Sequence, residues 1–307
     1  MNPHQLRTFL AAARFGNLTR AASEANLAQS SLSDQIQSLE QELGVQLFER
    51  GRHGVALTPA GHVMQTYATE ILALNEEAKN AIRASAGNDD QSLTIGTLET
   101  IATEKLAAFL PRFRFVHPDI GLTLKIGGSG DLQRWLEDGS IELAITFDRG
   151  QKDERFIDRK LSHEPMALIA GVNFRALPTV TFAGLSELPF IVTQEGCVYR
   201  HLFDKAFTEA AVAPPPIATQ VDSVATIIRL VAAGTGYGLV PQLALNAYPT
   251  RGDLLELPWP GKTPTASLVM VWRRRRVQPP PLSLMLAAAQ KELQSFRPAG
   301  APLRHEG

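Results

Sequence analysis

At 307 residues the chain is long enough for two or three domains. Its balance of 30 Lys and Arg against 31 Asp and Glu supplies no strong basic footprint for nucleic acid. A single cysteine excludes an internal disulfide framework and fits a reducing cytoplasm, and no apolar run is long enough to span a membrane.

The first elements read as a three-helix core. Leu6, Phe9, Leu10 and Ala13 form one apolar stripe, and Gly16-Asn17 breaks that helix and caps the next. Arg7 and Arg14 interrupt the apolar core that a signal peptide would need. Leu18 to Glu24 makes a second helix, in which Ala21, Ala22 and the following Ala25 are small enough for another helix to approach closely. After a turn around Asn26, Leu27 and Ala28, apolar residues recur at Leu32, Ile36, Leu39 and Leu43, one stripe of a third helix that Gly44 ends. The opposite face carries Gln29, Ser30, Ser33, Asp34 and Gln37, short polar groups that suit base edges and phosphates in a major groove. Two helices joined by a tight turn, the second with this face, read as a helix-turn-helix; a solvated helical hairpin is the alternative. Residues 1 to 62 hold Arg7, Arg14, Arg20, Arg50 and Arg52 against Glu24, Asp34, Glu40, Glu42 and Glu49. Affinity for DNA must then come from local placement of arginine and from more than one copy of the domain.

Residues 49 to 57 read as a hairpin with Gly51 and Gly54 at its turn, the wing of a winged helix. Arg50 and Arg52 can reach phosphate or the minor groove there, or remain solvated. Thr58 caps and Pro59 opens a long helix to about Ala84. Met64, Ala68, Ile71, Asn75, Ala78 and Ile82 fall at heptad spacing, a narrow seam that pairs with a second copy of the chain or packs on the chain's own domains.

Beyond the polar hinge 86–91, strands and helices alternate: strands 93–96, 122–126 and 141–147 with helices 104–116 and 132–137. A second set has strands 167–170, 190–192, 217–221, 237–240 and 266–271, with helices 199–211, 223–233 and a closing one over 282–296. Such alternation predicts parallel α/β sheets with crossover helices. Ligands in open α/β sheets bind beyond the carboxyl ends of strands. Three loops qualify: 97–101, the Gly127-Gly128-Ser129-Gly130 run at a helix start, and 193–200. For each single residue, plain loop chemistry or helix capping is the alternative.

The segments Leu18-Thr19-Arg20-Ala21-Ala22, Gln29-Ser30-Ser31-Leu32-Ser33, Leu39-Glu40, Leu43-Gly44, Leu47-Phe48-Glu49-Arg50 and Leu57-Thr58-Pro59-Ala60-Gly61 resemble the LysR-type transcriptional regulators. The resemblance implies a winged helix-turn-helix (1–58), a linker and dimerisation helix with hinge (59–91), an α/β effector-binding domain (92–297) and a tail (298–307). The effector domain would hold two subdomains as in periplasmic binding proteins, one about 92–162 with 267–297 and the other 163–266, with the chain crossing between them twice. It implies partners: double-stranded operator DNA, a small-molecule effector and a second copy in a homodimer or homotetramer, with no cofactor. DNA contacts fall to Gln29, Ser30, Ser33, Asp34, Gln37, Arg50 and Arg52. By position Leu98, Thr100, Ile101, Ser129, Gly196, Cys197, Val198 and Arg200 match effector-contacting segments, with Thr146 and Phe147 at the crossover between subdomains.

The Glu-Thr after the first strand and the Gly-Cys-x-Tyr-Arg segment resemble a subgroup that includes regulators of glutamate metabolism, which suggests a carboxylate or amino-acid effector. Arg200 would pair with that carboxylate, or with Asp204 one turn on. Three departures stand out: Ala28 where the family commonly has a Ser or Thr cap, Ser30 for a common Pro, and Asp34 for a frequent Arg. Other signals carry less. Gly234-Thr235-Gly236-Tyr237-Gly238 follows a helix and leads into a strand, the reverse of a dinucleotide fingerprint. Cys197 has no resolving partner, the seven histidines lack metal-ligand spacing, and Arg273 to Arg276 read as a solvated loop. No nucleophile elbow, phosphate loop or paired catalytic acids are evident, so the expectation is a regulator, neither an enzyme nor a solute-binding module of transport.

Overall fold

Helix α1 (Pro3–Phe15) starts at a capping box, in which the Asn2 side chain accepts from the Gln5 N–H and the Gln5 side chain accepts from the Asn2 N–H. In the computed structural model the described residues are 1–25, 27–51, 54–85, 91–150, 152–174, 179–246, 248, 251–275 and 278–294. They divide into two compact units, the first built mainly from Met1–Asp90 and the second from residues after it.

In the first unit Asn17 caps α2 (Leu18–Glu24), accepting from the N–H groups of Thr19 and Arg20. Helix α3 (Gln29–Leu43) ends at Gly44, whose φ of 69° is the left-handed value expected of a C-terminal glycine. Leu6, Phe9, Ala12, Ala21, Ala22, Leu32, Ile36 and Leu39 form the core. Ala13 and Leu10 lie at its edge, and Leu43, the last residue of the expected stripe, is exposed. Glu40 accepts from the N–H groups of Leu47 (2.7 Å) and Phe48 (3.1 Å), so the chain leaves α3 directly into the wing. The wing pairs β1 (Phe48–Gly51) antiparallel with β2 (Gly54–Leu57). Gly54 has φ 131°, and a Cβ there would lie 2.1 Å from the Gly16 carbonyl oxygen, so the wing seats against the end of α1 only with glycine.

Thr58 caps α4 (Pro59–Ser85): its hydroxyl accepts from the Gly61 N–H and donates to the Gln46 carbonyl. The expected heptad seam needs correction in its first half. Met64 and Ala68 are buried in the winged core, with Leu72 packed beside them. The exposed apolar stripe instead runs through Val63, Tyr67, Ile71, Leu74, Ala78 and Ile82, with Leu74 rather than Asn75 on it. Residues 86–90 of the hinge and the tail 298–307 lie outside the described residues.

The second unit begins with β3 (Ser92–Thr97) and a helix in three parts: α5 (Glu99–Ile101), a π-helical turn (Ala102–Leu106) and α6 (Ala107–Val116). The helix thus starts five residues before the expected Glu104, and Thr100 and Ile101 sit in its first turn rather than in a loop. Then follow β4 (Gly121–Ile126), α7 (Ser129–Glu137), β5 (Leu143–Phe147) and the long β6 (Phe156–Gly171). Next come α8 (Phe182–Leu185), β7 (Phe190–Thr193), α9 (Val198–Glu209), β8 (Ile217–Val221), α10 (Val224–Ala232), β9 (Tyr237–Pro241), α11 (Gln242–Asn246), β10 (Leu254–Leu257), β11 (Thr265–Arg273) and α12 (Pro280–Gln294).

The strand order is β4-β3-β5-β11-β6-β9-β7-β8, with β10 also on β6. Neighbours among β3, β4 and β5, and among β7, β8 and β9, are parallel. Strands β6, β10 and β11 pair antiparallel, so the expectation of purely parallel sheets fails at the join. There β6 pairs with β11 as far as Pro165 and with β9 from Met166 onward. The chain returns beside that point, with Thr265 opposite Pro165 and Ala266 opposite Glu164. One sheet half therefore carries β3–β5 and the other β7–β10, with two adjacent crossing strands between them.

Candidate functional site

On α3, Gln29, Ser30, Asp34 and Gln37 are exposed and Ser33 is half-buried. Gln29 is partly held, accepting from the Thr19 hydroxyl of α2 at 3.1 Å. Gln35 turns the other way and accepts from the Thr8 hydroxyl of α1 at 2.7 Å. The Ala28 departure has a local consequence, because no side chain caps α3. Its first-turn N–H groups and the positive end of its dipole face outward unsatisfied by a side chain. Arg50 occupies β1 opposite Val55, and Arg52 lies outside the described residues.

In the second unit a cleft of about 700 Å³ opens where strands from both sheet halves end. Leu98 and Thr100 line it from the start of α5, and Ser129 from the first residue of α7. Thr193, at the end of β7, and Gly196, Cys197 and Tyr199, around the start of α9, line the other side. Ser223 caps α10 and its hydroxyl donates across the cleft to Glu99 at 3.1 Å, one bond joining the two sheet halves. Asp131 on α7 forms an ion pair with Arg134.

Two side-chain oxygens in this lining, Ser129 Oγ and Thr193 Oγ1, are buried without a hydrogen-bond partner among the described residues, and the buried Tyr199 Oη lies beside the Thr100 hydroxyl. Each unpaired buried hydroxyl costs about 1–3 kcal/mol, so two in one cleft imply groups that a ligand would satisfy. Burial pushes the Tyr199 hydroxyl far above the ordinary phenol range, with Cys197 and Glu164 adding to the rise and Thr100 opposing it, so the group stays a neutral donor. Its ring rests 5.6 Å from that of Phe147, tilted by 60°. Helix α9 has no side-chain cap, Cys197 being its N-cap, so its first N–H groups also face this end of the cleft.

The expected effector residues separate into groups. Leu98, Thr100, Ser129, Gly196 and Cys197 come together in the cleft. Ile101 and Val198 point into the hydrophobic core instead, at 0% and 2% exposure. Arg200 is tied to Asp204, its Nε 2.9 Å from both carboxylate oxygens, and does not line the cleft. Thr146 and Phe147 end β5 beside the crossing strand β11, with Phe147 opposite Leu268, and line a second cavity of about 570 Å³; the chain crosses at Glu164–Met166 and Thr265–Ala266. Thr193 and Tyr199 belong to the expected loop 193–200 but were not singled out within it, and Ser223 was missed. Thr193 obeys the strand-end rule that flagged its loop, and Ser223 follows β8 by the same rule. Among the described residues no cluster of His, Cys, Asp and Glu could hold a metal ion, and no helix is long and apolar enough to cross a membrane. Gly234 has φ 80° and turns α10 into β9, as its position between helix and strand requires.

The family "Bacterial regulatory helix-turn-helix protein, lysR family" matches residues 3–62, and "LysR substrate binding domain" matches residues 86–294. The chain is similar to the HTH-type transcriptional regulator YwqM of Bacillus subtilis, 30% identical over 297 residues that cover 95% of this chain and 99% of the relative. It is also similar to the HTH-type transcriptional regulator GltR of Bacillus subtilis, 28% identical over 300 residues covering 97% and 99%. Among solved structures, a full-length OxyR variant from Pseudomonas aeruginosa shares the fold with a TM-score of 0.64, at 22% identity and coverage of 97% and 96%. Full-length CbnR complexed with its target DNA shares it with a TM-score of 0.58, at 23% identity and coverage of 95% and 99%. The chain belongs to the LysR family: it is a DNA-binding transcriptional regulator, with an N-terminal helix-turn-helix and a C-terminal α/β domain of the family's effector-binding type.

Proposed function

We propose that this regulator works in the cytoplasm as a homodimer or homotetramer whose operator affinity or geometry is set by a carboxylate or amino-acid effector held in the cleft. The working division is residues 1–58 for DNA, 59–91 for linkage and dimerisation and 92–297 for the effector, its subdomains dividing near residues 162–163 and 266–267. On the DNA side, Gln29, Ser30, Ser33, Asp34 and Gln37 read base edges from the major groove, and Arg50 and Arg52 contact phosphate or the minor groove from the wing. Asp34 accepts from a cytosine amino group, which would set this chain's operator apart from those of relatives with arginine there.

The observation that carries the effector reading is the convergence of the Ser129 and Thr193 hydroxyls, both without partners among the described residues, with the Tyr199 hydroxyl on one cleft beside the first turns of α7 and α9. Neutral O–H and N–H donors with aligned helix dipoles suit an anionic head group. Glu99, Glu195 and Asp222 also line the cleft and supply acceptors for an ammonium group, which favours an amino acid over a simple carboxylate. A ligand touching both Glu99 and the α9 side would bias the arrangement of the two sheet halves, by as much as its affinity differs between arrangements.

A thermal-shift panel of amino acids, dicarboxylates and their amides tests this. The expected result is stabilisation by a carboxylate member that its amide does not give and that Thr193→Val and Ser129→Ala abolish. No stabilisation at millimolar concentration, or hits indifferent to both substitutions, would remove the reading.

A further inference from the structure

Two of the glutamines of α3 are tied to neighbouring helices. Gln35 accepts from the Thr8 hydroxyl of α1 at 2.7 Å and lies 2.7 Å from His4 Nδ1. Gln29, the first residue of α3, reaches instead to α2, where its Oε1 accepts from the Thr19 hydroxyl at 3.1 Å. Gln37, exposed like Gln29, makes no hydrogen bond among the described residues.

Thr19 is well placed to hold the Gln29 amide. It is the second residue of α2, and the Asn17 side chain accepts from its N–H at 2.9 Å and from the Arg20 N–H at 3.1 Å. The threonine backbone is thus fixed at a capped helix start, and its branched side chain has few rotamers to lose. Gln29 has no such support of its own, because α3 starts at Ala28 with no side-chain cap. The bond from Thr19 is what orients its amide.

That orientation decides what Gln29 can read. A free glutamine matches adenine in the major groove, its carbonyl accepting from N6 and its amino group donating to N7. The match needs both ends of the amide at one base edge. Here Oε1 is turned back to α2, and the Nε2 amino group has no partner among the described residues. A hydrogen bond accepted at the carbonyl also polarises the amide and strengthens its N–H groups as donors. Gln29 therefore presents donors alone. Guanine, whose N7 and O6 are both acceptors on the major-groove edge, fits donors alone; adenine sets an amino group beside N7 and does not.

We propose that Thr19 is a positioning residue for operator choice: it holds the Gln29 amide as a donor and so selects guanine over adenine at the base pair that Gln29 meets. The inference rests on the reading of Gln29 as a base contact, and Thr19 itself touches no base.

The test is random-site selection with full-length wild type, Gln29→Ala, Thr19→Val and Thr19→Ser, followed by fluorescence anisotropy on sites that differ at one base pair. The position at which Gln29→Ala loses preference is the Gln29 position. Guanine is expected there over adenine by about fivefold or more for wild type and for Thr19→Ser, which keeps the hydroxyl. Thr19→Val should bring that ratio to about one, with preferences elsewhere and affinity for unrelated DNA unchanged. Thr19 is exposed and Thr19→Val is isosteric, so the variant should keep the wild-type Tm. The ratio should fall equally in the Ala28→Ser background, where a serine caps α3; recovery of the preference there would make the bond a mere brace for the helix start and overturn the proposal. If Gln29→Ala leaves every preference intact, the base contact fails and the proposal with it. If Gln29→Ala relaxes one position, but wild type prefers adenine there or Thr19→Val keeps its guanine, the contact stands and the proposal falls. Uniform loss of affinity in Thr19→Val on all sequences also overturns it, by making Thr19 a phosphate contact.

Discussion

Lys105 Nζ lies 2.8 Å from Glu164 Oε1, and the lysine side chain is only 1% exposed. The pair joins the π-helical turn after β3 to the β6 strand one residue before Pro165, where the chain leaves the first sheet half. The Ser162 hydroxyl donates to the same carboxylate oxygen at 2.8 Å. A charge this buried is tolerated only while its partner remains. Lys105→Met should therefore cost about 3–5 kcal/mol by leaving Glu164 uncompensated. The double variant Lys105→Met with Glu164→Met should recover much of that loss. Denaturant unfolding of the two single variants and the double one checks this, and additive losses would contradict it.

The missing cap of α3 makes a second expectation. Ala28 already has the extended backbone of an N-cap, φ −69° and ψ 145°, so a serine there can cap without rearrangement. Ala28→Ser should stabilise the winged unit by about 1 kcal/mol. An unchanged or lower Tm for this variant would show that the α3 terminus is satisfied in another way.

The outward stripe of α4 and its inward residues should respond differently. Leu74 is 63% exposed, whereas Met64 is 7% exposed within the winged core. Leu74→Asp should lower the assembled mass in sedimentation velocity while the winged unit stays folded. Met64→Asp should unfold that unit, because it buries an unpaired charge. Intact assembly in Leu74→Asp would place the interface elsewhere.

Much of the winged unit was legible because its signals are local. The Asn17 cap, the 4-3-4 stripe of α3 and Gly44 each fix backbone conformation within a few residues, and α2 and α3 have the expected bounds. The α4 seam was misread because 63/67 and 64/68 both fit helical spacing, and only the position of the winged core decides which pair turns inward. Strand β6 was expected only over 167–170, since its first half carries exposed Asp158, Arg159 and Lys160 and pairs antiparallel with a strand about a hundred residues away. The cleft was legible as strand-end loops but not as a set of hydroxyls. Which of them remain unpaired depends on how α5, α7 and α9 meet. Arg200 was ambiguous until its bond to Asp204 fixed it locally.

The account centres on the exposed polar face of α3 as the reader of operator DNA. The most direct measurement is fluorescence anisotropy with the best sequence from a random-site selection, over a salt series, for wild type and for Ser30→Ala with Gln37→Ala. The predicted result is tight wild-type binding, weakened at least tenfold in the double variant on the selected site but little changed on unrelated DNA, because base contacts are lost and phosphate contacts kept. Equal affinity of wild type and the double variant for the selected site would contradict it.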